Sequence, residues 1–167
     1  MRLARQVLID APGARVWALV DDERNIPLWM PLVVGTRYPD GSVGGKKVGV
    51  RFIQTLREDE HATGGKTSEY AGEVTEYKPG SLLGLRLLPE AFTVDVRYYV
   101  AHDPDYECTR LVYTCTTRAN SWYGWAMLMI GAKTLGRIAD QQLAGIKRSA
   151  EDKETVVYGV STKGQKA

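Results

Sequence analysis

The sequence predicts an α+β domain in which a seven-stranded antiparallel sheet is covered by one long helix near the end of the chain. A strand-like segment opens the chain, two short helical segments follow it, and six further strand-like segments are separated by short turns. Residues 119–153 then carry apolar side chains at helical spacing. Because each strand has one apolar face and only this helix is large enough to cover them, we expect the sheet to wrap around it.

The first part of the chain predicts a strand followed by two short helices. Residues 2–9 alternate imperfectly between apolar and polar and indicate the first strand. Asp10 is expected to cap a helix, with Pro12 in its first turn, where a missing N–H does no harm. A second helical turn is predicted at 24–29, next to Pro31.

The six later strands are predicted from their β-branched and aromatic content and from the glycine- and proline-rich turns between them. They are expected at 32–38, 48–57, 67–77, 82–88, 92–101 and 107–118. Within 92–101, Asp95 and Arg97 alternate with the apolar side chains. We therefore expect both on the outer surface of the sheet, paired with Arg110 or Arg118 of the next strand.

Composition and charge exclude several classes of protein. The 167 residues suffice for one domain with a sizeable core. The net charge is +2, from 22 basic and 20 acidic side chains spread along the chain, so nucleic acid is not an expected partner. No apolar run approaches the ~20 residues of a membrane helix. The N-terminus does not resemble a signal peptide, so a cytoplasmic location is expected.

The cysteines and histidines indicate no metal site and no cofactor. Cys108 and Cys115 are seven positions apart in one predicted strand. An extended chain separates them by roughly 23 Å, so they cannot form a disulfide with each other, and two free thiols suit a reducing compartment. His61 and His102 belong to separate predicted turns. A histidine-based metal site or catalytic triad is therefore not expected, and the sequence identifies no catalytic residue.

Several short motifs occur in an order that resembles a known superfamily. The segment 7–31, with Ala11-Pro12, Val16-Trp17 and Trp29, resembles the opening of the START-like, Bet v 1-like superfamily (SRPBCC). It is most similar to the bacterial polyketide cyclase/dehydrase-like branch. The resemblance continues through Phe52 and Pro79-Gly80 to residue 152. It therefore implies a ligand-binding domain at 1–152, followed by a tail at 153–167.

This resemblance implies a helix-grip fold with a hydrophobic cavity between the sheet and the long helix. The residues alone leave open whether the bulky side chains line a cavity or fill the core, and the resemblance favours the cavity. Its expected wall contains residues from the strands and from the first half of the helix. They are Phe52, Tyr70, Val74, Leu85, Val96, Tyr98, Leu111, Tyr113, Trp125, Leu128, Met129 and Ala132.

Three functions are compatible with the sequence. The first is binding or transport of a small hydrophobic molecule such as a lipid, polyketide or quinone. The second is a polyketide cyclase or dehydratase, with Tyr70, Tyr98 or Tyr113 as acid–base candidates. The third is a protein-interaction module, monomeric or homodimeric, that uses Trp122-Tyr123 and the tail.

Overall fold

The fold class predicted from the sequence is confirmed. The computed structural model describes residues 1–39, 46–57 and 66–160, and it describes the side chains of these residues except at 123, 125 and 127–133. Seven strands form one antiparallel sheet in the order β1-β7-β6-β5-β4-β3-β2. The strands are β1 Arg2–Ile9, β2 Val33–Arg37, β3 Arg51–Arg57, β4 Thr67–Lys78, β5 Leu82–Leu87, β6 Phe92–Asp103 and β7 Cys108–Ala119.

Two short helices connect β1 to β2, as predicted, but their starts differ from the prediction. Helix α1 spans Gly13–Asp21, and its N-cap is Pro12, without a side-chain hydrogen bond. Asp10 therefore does not cap it, and the Asp10 backbone N–H instead donates to Glu151 Oε1 at 2.9 Å. The second element is a 3₁₀ helix at Glu23–Leu28, and its cap is the Asp22 carboxylate, which accepts from the Arg24 backbone N–H.

Strand β3 is shorter than predicted because the chain turns before it. Gly49 has a φ of +88°, which is a conformation that favours glycine. The Val50 N–H donates to the Lys47 carbonyl at 3.1 Å, which closes this turn. The regular strand consequently begins at Arg51 rather than at Val48.

The long helix α2 spans Trp122–Glu151, and its N-cap Ser121 accepts a hydrogen bond from the Gly124 N–H. Its C-terminal half packs into the core through the buried Leu143 and Ile146. The short helices support this half, since a Cβ built on Gly145 would lie 3.0 Å from Trp29. Among the described residues, no helix has the length and apolar character that a membrane crossing requires.

Asp95 and Arg97 lie on the outer face of the sheet, as predicted. Of the two predicted partners, Arg118 pairs with Asp95, whereas Arg110 pairs with Asp103 instead. Asp95 pairs with Arg86 of β5 at 2.7 Å and with Arg118 of β7. Arg97 pairs with Glu76 at 2.5 Å. These charges lie on the surface that faces away from α2, so they are not available to a site under the helix.

The first part of the tail packs against the two short helices. Arg15 donates to the carbonyls of Asp152 and Thr155 at 2.6 and 2.8 Å. The buried Asn25 side chain bonds both the N–H and the carbonyl of Tyr158. Residues 161–167 of the predicted tail lie outside the described residues.

Candidate functional site

The candidate site is the inner face of the sheet, which is the face toward α2. Cross-strand pairs such as Val74↔Leu85, Leu85↔Val96 and Tyr98↔Tyr113 place their side chains on this face, because directly opposed residues of a sheet share a face. All eight strand residues of the predicted cavity wall lie there. They are Phe52, Tyr70, Val74, Leu85, Val96, Tyr98, Leu111 and Tyr113.

The four helix residues of the predicted wall lie in the first half of α2. Trp125, Leu128, Met129 and Ala132 all belong to its helical backbone. Their side chains lie outside the described part of the structure. His61, which was weighed as a metal ligand, also lies outside the described residues. Their place in the wall stays a prediction.

On the central strands β5 and β6, burial of the inner face decreases toward the end of the sheet where α2 begins. At the opposite end, Leu83 of β5 is 1% exposed and Val100 of β6 is 4% exposed. Closer to the start of α2, Leu85 and Leu87 of β5 and Val94 of β6 are only partly buried, although they occupy central strands. The central strands thus present apolar surface that the core does not completely cover.

A group of aromatic and polar side chains closes the more buried end of this surface. The rings of Tyr98 and Tyr113 lie 5.3 Å apart, and Trp29 contacts Tyr98 edge-on at 5.9 Å. The Tyr98 hydroxyl and Gln142 Oε1 of α2 are 3.5 Å apart, at the limit of a hydrogen bond. Polar groups at this end therefore have partners within the protein.

Burial keeps the tyrosines of this interior protonated. It raises the pKa of Tyr98 well above the usual value for a phenol. Burial, with the neighbouring Tyr98 and Cys115, also raises the pKa of Tyr113. At neutral pH these phenols can donate a hydrogen bond but cannot act as a phenolate base.

Because the folded protein favours the protonated form of these tyrosines, we expect it to lose stability in alkali. Burial and Asp21 also raise the pKa of Tyr77, to about 12, whereas phenols of the unfolded chain ionise near pH ~10. The contribution of the protonated tyrosines to stability is fully present below about pH 10, where the unfolded chain is also protonated. It is lost as the pH rises toward the pKa of the tyrosines in the folded protein. Urea unfolding between about pH 8 and about pH 11 should show a falling free energy of unfolding. The fall should be smaller in Tyr98→Phe and Tyr113→Phe, and an unchanged pH dependence in both variants would contradict this expectation.

A second polar group on the inner face was not predicted from the sequence. Register places Thr36 of β2 opposite Gln54 of β3, and Gln54 opposite Tyr70 of β4. Only Tyr70 was among the predicted wall residues. The signal was available, because Gln54 is in phase with the apolar Phe52 and Leu56 of its own strand, and a polar residue in an apolar phase indicates a special position.

The described strand residues on this part of the inner face are uncharged. Among the described residues, no group of three or more His, Cys, Asp or Glu side chains could hold a metal ion. The inward Arg5 of the edge strand β1 is paired with Asp140 of α2 at 2.9 Å. Within the described part of the chain, the least buried stretch of the inner face therefore carries no charge.

Comparison with known proteins agrees with this architecture. A family model described as polyketide cyclase / dehydrase and lipid transport matches residues 1–151. No curated protein matches the chain.

Three solved structures illustrate the similarity of fold. A protein of Deinococcus radiodurans is 20% identical, with 90% of this chain and 98% of that chain covered and a TM-score of 0.61. The di-domain ARO/CYC protein BexL of the BE-7585A biosynthetic pathway is 19% identical, with 92% of this chain and 50% of that chain covered and a TM-score of 0.68. Ara h 8.0201 is 14% identical, with 87% of this chain and 97% of that chain covered and a TM-score of 0.58. At these identities the likeness concerns the fold alone.

Proposed function

The chain belongs to the polyketide cyclase/dehydrase and lipid transport family, and from this premise we propose that it binds a small hydrophobic molecule between the sheet and helix α2. The resemblance found in the sequence is thereby confirmed at the level of family and fold. The proposed ligand is a lipid, polyketide or quinone-like molecule, held without a cofactor by a protein that is monomeric or homodimeric and cytoplasmic.

The observation that carries this proposal is the incomplete burial of Leu85, Leu87 and Val94. Apolar side chains on the inner face of central strands are normally among the most buried of a domain. Leaving them partly in contact with solvent forfeits hydrophobic stabilisation of about 25 cal/mol per Å² of exposed surface. A bound apolar molecule would recover that contribution, which supplies the driving force for uptake.

Filling this space should abolish uptake of an apolar probe. We expect the wild-type protein to bind the neutral dye N-phenyl-1-naphthylamine, measured by its fluorescence, and native mass spectrometry to detect the complex. Leu85→Trp places a larger ring in the proposed volume and should weaken binding at least tenfold, which corresponds to about 1.4 kcal/mol.

Leu88→Trp is the matched control. Leu88 is 48% exposed, and it directly follows the inward Leu87 in the chain. This variant should bind the dye as the wild type does. Wild-type protein that takes up no dye, or equal weakening in both tryptophan variants, would contradict the proposal.

Catalysis on an aromatic or polyketide substrate is the second candidate, and one observation supports it. The protonated Tyr98 and Tyr113 could donate hydrogen bonds to a substrate carbonyl and polarise it. However, Tyr98 faces Gln142, and the Tyr113 ring packs against the Tyr98 ring. Tyrosines that already contact other side chains of the protein favour a structural role in the site over proton transfer. Binding is therefore the function that we propose first.

A further inference from the structure

One row of the inner face contains three polar side chains, and one of their buried atoms has no hydrogen-bond partner among the described residues. The Thr36 Oγ1 atom is buried and has no hydrogen-bond partner. The adjacent Gln54, which lies opposite Thr36 in the register, is 8% exposed. Tyr70 stands next in the same row. We call Thr36, Gln54 and Tyr70 the polar row.

Unsatisfied buried polar atoms are rare, and each needs an explanation. The other such atom among the described side chains is Asp21 Oδ1, and it faces the Lys46 ammonium at 3.4 Å, so its charge is compensated. The polar groups at the opposite end of the inner face have one another as partners. Thr36 Oγ1 has no such compensation within the described part of the chain, although directly opposed residues in a sheet place their Cβ atoms only about 5 Å apart.

The three side chains of the polar row carry no charge. A carboxamide offers both a donor and an acceptor, and so does a hydroxyl. Next to this row, the inner face is formed by Phe52, Leu87 and Val94, and none of these is charged. An ionised carboxylate placed there would be buried without a countercharge from the described residues, which is strongly unfavourable.

We infer that the polar row recognises a neutral hydroxyl or carbonyl group of the bound molecule, so that the ligand is a phenol, ketone or quinone and not a fatty acid. This inference rests on the proposed binding function and assigns Thr36 and Gln54 to the site. The apolar body of the ligand lies against Leu85, Leu87 and Val94, and its oxygen reaches the carboxamide of Gln54 and the hydroxyl of Thr36.

Three probes with the same ring system test this selectivity. Naphthalene, 1-naphthol and 1-naphthoate should be titrated against protein loaded with N-phenyl-1-naphthylamine. We expect 1-naphthol to bind about tenfold more tightly than naphthalene, as one or two buried hydrogen bonds predict. 1-Naphthoate should bind most weakly, because its charge has no partner.

Substitutions in the polar row should remove the preference without removing binding. Gln54→Leu should weaken 1-naphthol about tenfold and leave naphthalene unchanged. Thr36→Val should act in the same direction. It should also raise the melting temperature of the ligand-free protein, because it deletes an unsatisfied buried hydroxyl. Thr55→Val, a change on the opposite face of the same strand β3, should alter none of these values.

The outcomes separate this inference from the function on which it rests. An unchanged ratio of naphthol to naphthalene affinity in both variants would overturn the inference, and so would preferred binding of naphthoate. If the wild type binds naphthalene and the dye without preferring naphthol, the polar row is not the recognition element but the binding function stands. If neither naphthalene nor the dye binds, both proposals fail.

Discussion

Asn25→Ala is expected to lower the free energy of unfolding by about 3 kcal/mol. The Asn25 side chain is fully buried. It donates to the carbonyls of Ala18 and Tyr158 at 2.8 and 3.0 Å and accepts from the Tyr158 N–H at 2.9 Å. Alanine removes all three hydrogen bonds. The N–H and carbonyl of Tyr158 lose these partners, whereas the Ala18 carbonyl keeps the Asp22 N–H. Urea denaturation followed by circular dichroism measures the loss.

Two comparisons distinguish this role from a general effect of substitution. Glu154→Ala changes an exposed residue in the same segment and should alter the free energy by less than about 0.5 kcal/mol. When the chain is ended at residue 152, two of the three Asn25 bonds disappear, so Asn25→Ala should then cost much less. An equal cost in the full-length and shortened chains would mean that Asn25 does not act through the tail.

Gly72→Ala is expected to cost about 2 kcal/mol of stability and to weaken binding of the apolar dye. Gly72 and Phe52 are directly opposed in β4 and β3, and the Phe52 ring lies across the glycine. A Cβ on Gly72 would come within 2.3 Å of this ring. The ring must therefore leave its position, and the inner face offers the space that we assign to the ligand.

Gly35→Ala provides the matched control for this prediction. Gly35 belongs to the neighbouring strand β2, and nothing lies within 4 Å of a Cβ built there. It should be nearly neutral for stability and for dye binding. Combining Gly72→Ala with Phe52→Leu should restore part of the stability, because the smaller side chain relieves the clash. A double variant that is less stable than Gly72→Ala alone would show that the clash is not the cause.

The alternation of apolar and polar side chains was enough to predict the sheet and its inner face. In β6, the apolar phase from Val94 to Val100 faces α2, and Asp95 pairs outward with Arg86 and Arg118. Helix starts were harder to predict. Asp10 is of a residue type that commonly caps helices, but its backbone N–H donates to Glu151, more than a hundred positions away in the chain. Long-range partners of this kind leave no local pattern.

The apolar and aromatic side chains of the inner face could be predicted from the sequence. Large side chains in phase with the core identified Leu85, Val96 and Tyr98, because such residues belong on the inner face whether or not a ligand is present. Thr36 and Gln54 were missed. The polar Gln54 interrupts an apolar phase that the sequence shows. The missing hydrogen-bond partner of Thr36 becomes visible only when the neighbouring strands have been placed.

The pairing of β1 with β7 has a consequence for the order in which the protein folds. The N-terminal amino group donates to the Thr117 carbonyl at 2.7 Å, across a separation of 116 positions. A ribosome makes β1 before the other six strands and β7 after all the others, whereas β3 to β6 each lie beside the strand that precedes them in the chain. We therefore expect the hairpins of β3 to β6 to form early and the attachment of β1 to be a late, slow step. Arg2 and Arg5 place positive charge on β1, which discourages aggregation while its edge is unpaired.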